Sequence, residues 1–391
     1  MSVNKYIATN AATFATAVAD MALSNVDYTT ISIEQTAGAP GLGGDVLELA
    51  STVVIPPNFL GNLSKVLIIE GNGITIRPNT SAGLGTDIPL IKRNNPLDNK
   101  SCSIIFRNIN FDCRGAAMTC VELYNATNVI FENCRFLNCK TGLILANINR
   151  ATVTNCHAEN VTFAGFIDKI ATNVNNRCND ITYTNCTVKC QENVAAFVTG
   201  FTSYSTARVA YYECATLSLM IYGLYVNQPF MSTPNEINNV QIRNYTGFGV
   251  ALSSDPAFQG ALIYLYMSTG FAKIDGLYIT SSGTSSMIVV EGNAYVVANY
   301  PNPHLYVENV PWLPQNAQFR TQGGIPSGVD CDITPIEDVM TWEFKEIYDG
   351  RNIFGAARWY TGLIPRHRYA EFFDESKIIL SDSIFVNNKY I

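Results

Sequence analysis

Residues 128–139 read NVIFENCRFLNC: an alternating apolar run, an asparagine, a cysteine and a second short run. The layout returns in ATVTNC at 151–156, in ITYTNCTVKC at 181–190 and, with glutamate for asparagine, in VAYYEC at 209–214. In register, the residue after the corner is Ile109, Cys134, Cys156, Cys186, Cys214, Tyr245, Leu277 and Val310, at spacings of 22 to 33 residues. Before each corner stands a short alternating pair such as Val129 and Phe131 or Ile181 and Tyr183, and period two with β-branched and aromatic residues predicts a strand. A second strand recurs in each interval, often behind a glycine, as at Gly142, Gly165, Gly223 and Gly249, or as Ala196-Phe-Val. A third, shorter one follows the asparagine.

Three short strands per repeat describe a solenoid of parallel coils, each buried only by its neighbours. Asparagine suits the corners because it tolerates a left-handed backbone and its amide can bond its equivalent one coil away. Cysteine suits the next position, where the chain turns inward between converging sheets, because it is small and readily buried. Cys134, Cys156, Cys186 and Cys214 are then expected in one internal ladder, with Cys113, Cys139 and Cys190 in a second. The eleven cysteines include no C-x-x-C pair, and only His157 of the three histidines lies near them. Buried free thiols are expected, not a zinc site or a disulfide framework.

The chain of 391 residues is 47% hydrophobic, 15% charged and carries a net charge of −7. Without basic clusters it is not expected to bind nucleic acid. Neither a secretory signal nor an apolar run of membrane-spanning length is legible, so synthesis in a cytoplasm without membrane insertion is expected. Residues 10–24 place Phe14, Val18, Met21 and Ala22 on one face of a short helix, which would plug the exposed end of the solenoid. The expected organisation is a capping helix and first strand over 1–44, coils over 45–310, and a β-rich C-terminal element over 311–391. That last segment holds Trp312, Trp342 and Trp359, which suit either an interface or a core.

The coils IIFRNINF, VIFENCRF and VQIRNYTG resemble the right-handed, single-stranded parallel β-helix of the pectate-lyase-like superfamily. The resemblance covers roughly residues 45–310 and is one of fold. The Asn-Thr-Asp strand, Asp-Asp pair and Gly-His-Gly of polygalacturonases are missing, as is the run of calcium-binding acids of pectate lyases, so no enzyme residue carries over. The capping helix, the buried cysteines and the aromatic C-terminal element resemble virion β-helix proteins: bacteriophage tailspikes, head fibres and capsid decorations. That implies a virion structural protein, made in the host cytoplasm, with other virion proteins and host surface glycans as partners and no cofactor. A polysaccharide depolymerase, lyase or glycoside hydrolase, is the alternative on the same fold.

Strand alternation assigns the outer faces. On the glycine-led strand the outward positions are expected to be Glu122, Ile144, Ile167, Val198, Tyr225, Ala251 and Val289, a mostly apolar stripe. A stripe of that length requires cover, either by the C-terminal segment or by identical chains around a three-fold axis. Ile144, Ile167, Val198, Tyr225 and Val289 are accordingly the expected interface. The strand after the asparagine offers Asp112, Arg135, His157, Glu159 and Lys189 within about 5 to 10 Å of one another. Paired carboxylates at such separations serve glycoside hydrolysis, and a cation beside an acid suits a lyase. Asp112, His157, Glu159 and Lys189 are therefore the catalytic candidates, against a solvated charge ladder pairing Asp112 with Arg135 and Glu159 with Lys189. No metal-ligand set is legible there.

Overall fold

The computed structural model describes residues 3–20, 27–34, 46–56, 65–93, 102–170, 178–191, 198–228 and 239–247, with the strands 261–267, 271–279, 286–292, 304–308, 318–321 and 332–335. The chain divides into a unit of residues 1–201 and a unit of residues 202–391. Both are built of parallel strands stacked coil on coil, so the chain is an all-β parallel β-helix.

In the first unit, the strand ahead of the asparagine recurs as Lys65–Glu70, Cys102–Arg107, Asn128–Glu132, Ala151–Thr154 and Ile181–Thr184, each paired in parallel with the next. Tyr28–Ile33 and Val3–Ala8 extend this sheet toward the N-terminus. The strand after the asparagine recurs as Val46–Leu49, Thr75–Pro78, Asn110–Asp112, Arg135–Leu137, His157–Val161 and Thr187–Cys190. The glycine-led strand recurs as Val53–Ile55, Pro89–Arg93, Thr119–Tyr124, Thr141–Ala146 and Ala164–Lys169. In the second unit, Tyr222–Gln228, Ala261–Met267, Ser286–Gly292 and Gln318–Thr321 form one ladder. Arg208–Tyr212, Asn239–Gly247, Phe271–Ile279, His304–Glu308 and Asp332–Pro335 form another. Parallel strands thus continue past residue 310. Residues 336–391, with Trp342 and Trp359, and the strand expected at Gly249 lie outside the described residues.

Identical positions stack in columns inside the first unit. Phe106 lies on Phe131 at 4.7 Å between ring centres and 12° between planes, and Phe111 on Phe136 at 5.4 Å and 14°. Phe166 and Phe201 repeat the geometry at 5.3 Å and 14°. Offset stacking at the coil spacing adds to burial about 0.5–1.5 kcal/mol per pair.

The corners are left-handed as expected: Asn108, Asn133, Asn155 and Asn185 have φ between 50° and 54°. Their amides form a continuous ladder. Asn185 donates to Asn155 at 2.8 Å, Asn155 to Asn133 and Asn133 to Asn108 at 3.2 Å, and Asn108 to Glu70 at 2.7 Å. Each thiol beside a corner is buried, and its S–H also donates to the carbonyl two residues back, at 3.5 Å for Cys134 and 3.3 Å for both Cys156 and Cys186. The same carbonyls accept the backbone N–H of the corner asparagine one coil back, at 3.0 Å, so the thiol bond is an addition to the backbone pairing. Burial pushes the Cys156 thiol well up from its ordinary value.

The second thiol column contains Cys113, Cys139 and, paired with Val161, Cys190. Cys120 joins it, its sulfur 3.5 Å from that of Cys113. Ten described cysteines are free and buried. Glycine is required where strands of neighbouring coils approach closely: a Cβ on Gly142 would lie 2.5 Å from the Gly165 carbonyl, and one on Gly165 would lie 2.8 Å from that of Gly200.

The helix spans Ala11–Ala19, and its first turn is closed by reciprocal bonds between Asn10 and Thr13. Phe14, Ala17 and Val18 are buried, packed at the end of the coil stack against strands Val3–Ala8, Tyr28–Ile33, Val46–Leu49 and Val53–Ile55. Met21 and Ala22, expected on the same face, lie outside the described residues.

Candidate functional site

The strand after the asparagine presents two outward columns. One runs Asn110, Arg135, His157, Thr187 and the other Asp112, Leu137, Glu159, Lys189. Asp112 and Glu159 therefore stand two coils apart, about 9.6 Å along the stack, with Leu137 between them. All four candidates share one face.

Each acid has a structural partner. One Asp112 oxygen accepts from the Arg114 N–H at 2.7 Å and from the Asn138 amide at 2.9 Å. Glu159 pairs with Arg135 at 2.8 Å, both about half exposed. The expected pairing of Asp112 with Arg135 is thus replaced by a bond from Arg135 forward to Glu159. The registers explain this: Arg135 opposes Asn110 and His157, so it reaches Glu159 diagonally, while Asp112 bends toward the corner. His157 Nδ1 lies 2.8 Å from the Thr187 hydroxyl. Lys189 is exposed and has no ion-pair partner among the described residues.

Asp112 begins a second amide ladder, since Asn160 donates to Asn138 at 2.9 Å and Asn138 to Asp112. Asn138 and Asn160 are left-handed, at φ 50° and 55°. The ladder stops at Asn160 because the register shifts between Glu159 and Val161, leaving Asn160 without a counterpart in Thr187–Cys190. At that place lies a groove of about 420 Å³, lined by Gly115, Asn138, Asn160, Thr162, Lys189 and Gln191 over the thiols of Cys139 and Cys190. The next corner residue, Phe163, is 48% exposed, with Lys140 Nζ 5.6 Å above its ring and 2.6 Å from Asp87. Of the groove, the sequence singled out Lys189 as a candidate site residue and Cys139 and Cys190 as buried thiols. The missing corner asparagine after Lys189 was the signal for the rest.

The outer column on the glycine-led face runs Lys92, Glu122, Ile144, Ile167 in the first unit. Lys92 and Glu122 pair at 3.5 Å, Ile144 is 9% exposed and Ile167 half-buried. Val198 is not in this column. It is fully buried, one residue before the strand Thr199–Tyr204, where Gly200 and Phe201 occupy the positions that Gly165 and Phe166 hold in the preceding coil. Gly200 meets the close approach at Gly165, which only a glycine permits; Ala196 and Phe197 lie outside the described residues.

In the second unit the column is Tyr225, Tyr264, Val289, Arg320. Tyr264 thus holds the register place expected of Ala251, which lies outside the described residues, as does the Val289 side chain. Tyr225 and Tyr264 stack at 5.0 Å and 15°, Tyr222 packs on both, and Asn227 donates to the Tyr225 hydroxyl at 2.7 Å. Sequence alternation missed this cluster because Tyr222 and Tyr264 fell outside the stripe it traced.

Asp168 is fully buried and accepts from the Tyr183 hydroxyl at 3.0 Å, inside the core and away from any surface. Among the described residues, no three His, Cys, Asp or Glu side chains gather so as to hold a metal ion. No protein-family model matches the chain, and no curated protein matches it in sequence.

Proposed function

We propose that this chain is a virion structural protein, a spike, fibre or capsid decoration of bacteriophage type, that serves as a β-helical scaffold and engages glycans on its outer surface. The observation that carries the structural half of this reading is the commitment of Asp112 and Glu159. One carboxylate anchors a corner ladder and the other holds Arg135, so both act in stacking coils. The free, buried thiols suit a fold completed in a reducing cytoplasm. The virion assignment rests on resemblance to virion β-helices, and fold alone does not fix activity. Self-association as a trimer, through the outward column that carries Ile144 and Ile167 in the first unit, belongs to the same reading.

Two measurements test it. Light scattering of the full chain should give three times 42.9 kDa; a monomer removes the trimer. Incubation with capsular and lipopolysaccharide-derived glycans should leave them uncut. Cleavage that disappears in Asp112→Ala/Glu159→Ala would replace the structural reading with a depolymerase.

A further inference from the structure

The corner groove is a place where a repeated structure stops repeating. Through Asp112, Asn138 and Asn160 each coil supplies the partner of the one before it, and the coil carrying Lys189 supplies none. The Asn160 carbonyl, the Thr162 hydroxyl, the Lys189 ammonium and the Gln191 amide have no side-chain partner among the described residues. They line the same groove, and all but Thr162 are exposed.

Size and charge narrow what fits. The lining comes from four successive coils, represented by Gly115, Asn138, Asn160 and Lys189, so the groove runs along the stack for about three coil spacings, roughly 14 Å. Its volume of about 420 Å³ lies within the range of ligand sites, about 300–1,000 Å³. An elongated site with amides, which both donate and accept, and a hydroxyl matches a chain of hydroxyl-bearing rings rather than a compact ion. Lys189 is the one charged residue in the lining. Glu159, its neighbour in register, is already paired with Arg135.

We infer that this groove binds an acidic oligosaccharide, with a sugar carboxylate on Lys189 and sugar hydroxyls on Asn160, Thr162 and Gln191. The inference rests on the glycan-engaging reading and gives it a site and a ligand class. Uronate and sialate chains share the required chemistry.

The test is equilibrium binding of the full chain to a labelled pentagalacturonate, a labelled α-2,8-linked pentasialate and, as neutral reference, maltopentaose. One acidic probe should bind at least about tenfold more tightly than the neutral one, and Lys189→Met should remove about tenfold of that affinity, as for a charge-assisted hydrogen bond. Thr162→Trp, which fills the groove, should abolish binding. Both changes are at the surface, and an unchanged circular dichroism spectrum and melting temperature check the fold. Equal affinity for acidic and neutral probes, binding of neither acidic probe, or acidic binding untouched by Thr162→Trp overturns the site. The parent reading is scored separately on a glycan array. Array binding that survives both variants keeps glycan engagement and moves it elsewhere; an empty array removes both.

Discussion

The two units solve the same stacking problem with different side chains. In residues 1–201 the corners are Asn108, Asn133, Asn155 and Asn185, each bonded to the last, over a core of stacked phenylalanines and small thiols. Among the described residues of 202–391 the left-handed corners are Ser205, Glu213 and Asn244. Glu213 is held through its backbone N–H to the Arg243 carbonyl at 2.8 Å, and the core residue after Asn244 is Tyr245, whose hydroxyl bonds Thr216 at 3.2 Å. A repeated side chain satisfies itself, so one residue type serves many coils. Where the corner residue varies, strand pairing and individual hydrogen bonds must do the same work, and glutamate carries the strain of a backbone better suited to asparagine or glycine.

The sharpest way to break this contrast is to remove a stacked ring. Phe131→Ala takes a fully buried ring from between Phe106 and Phe136 and should cost about 3–5 kcal/mol in denaturant unfolding. Next is the ladder itself. Asn133→Ala loses bonds to both neighbours and leaves alanine at positive φ, for an expected loss of about 2–3 kcal/mol. The same position type in the second unit should respond with the opposite sign: Glu213→Asn relieves strain and is expected to gain about 1 kcal/mol. Equal losses from both substitutions would mean that the corners of the two units are held alike.

The corner asparagines and their inward neighbours were legible in the sequence because the pattern of alternation, Asn and Cys repeats at positions that stack in space. Ile109, Cys134, Cys156, Cys186, Cys214 and Tyr245 are all fully buried. Val198 was misread because a stripe traced by counting has no means of sensing the glycine column at Gly142, Gly165 and Gly200, which is set by the distance between coils. At the site, strand alternation placed Asp112, Arg135, His157, Glu159 and Lys189 on one outer face. Their partners were hidden because an arginine chooses among carboxylates by register across coils, and a groove arises where a register shifts.

Alkaline pH should act more on the first unit. Burial raises the thiols of Cys102, Cys120 and Cys156 and the phenol of Tyr124, whose hydroxyl also bonds Glu122. Tyr245 is raised likewise in the second unit. Groups held neutral in the fold ionise first in the unfolded chain, for thiols near pH 8.5. Their stabilising contribution is intact below that pH and is lost as pH rises toward the folded values. Melting temperatures measured from pH 7 to 10 should be flat and then fall. Replacing Cys156 by alanine should make that fall shallower. The smallest effect is expected at the surface: Arg135→Met removes an exposed ion pair and should change stability by less than about 1 kcal/mol.

Both amide ladders start at a carboxylate, Glu70 for one and Asp112 for the other, and in both each amide donates back toward that acid. Side-chain dipoles aligned head to tail add, and hydrogen-bonded chains polarise one another. Each ladder is thus a short wire of oriented amides with its positive pole on a negative charge, the arrangement that places acids at helix N-termini. The negative pole of the shorter wire is the Asn160 carbonyl. Polarised by the two bonds behind it, that oxygen is a stronger acceptor than a lone surface asparagine, and it opens onto the groove beside Lys189.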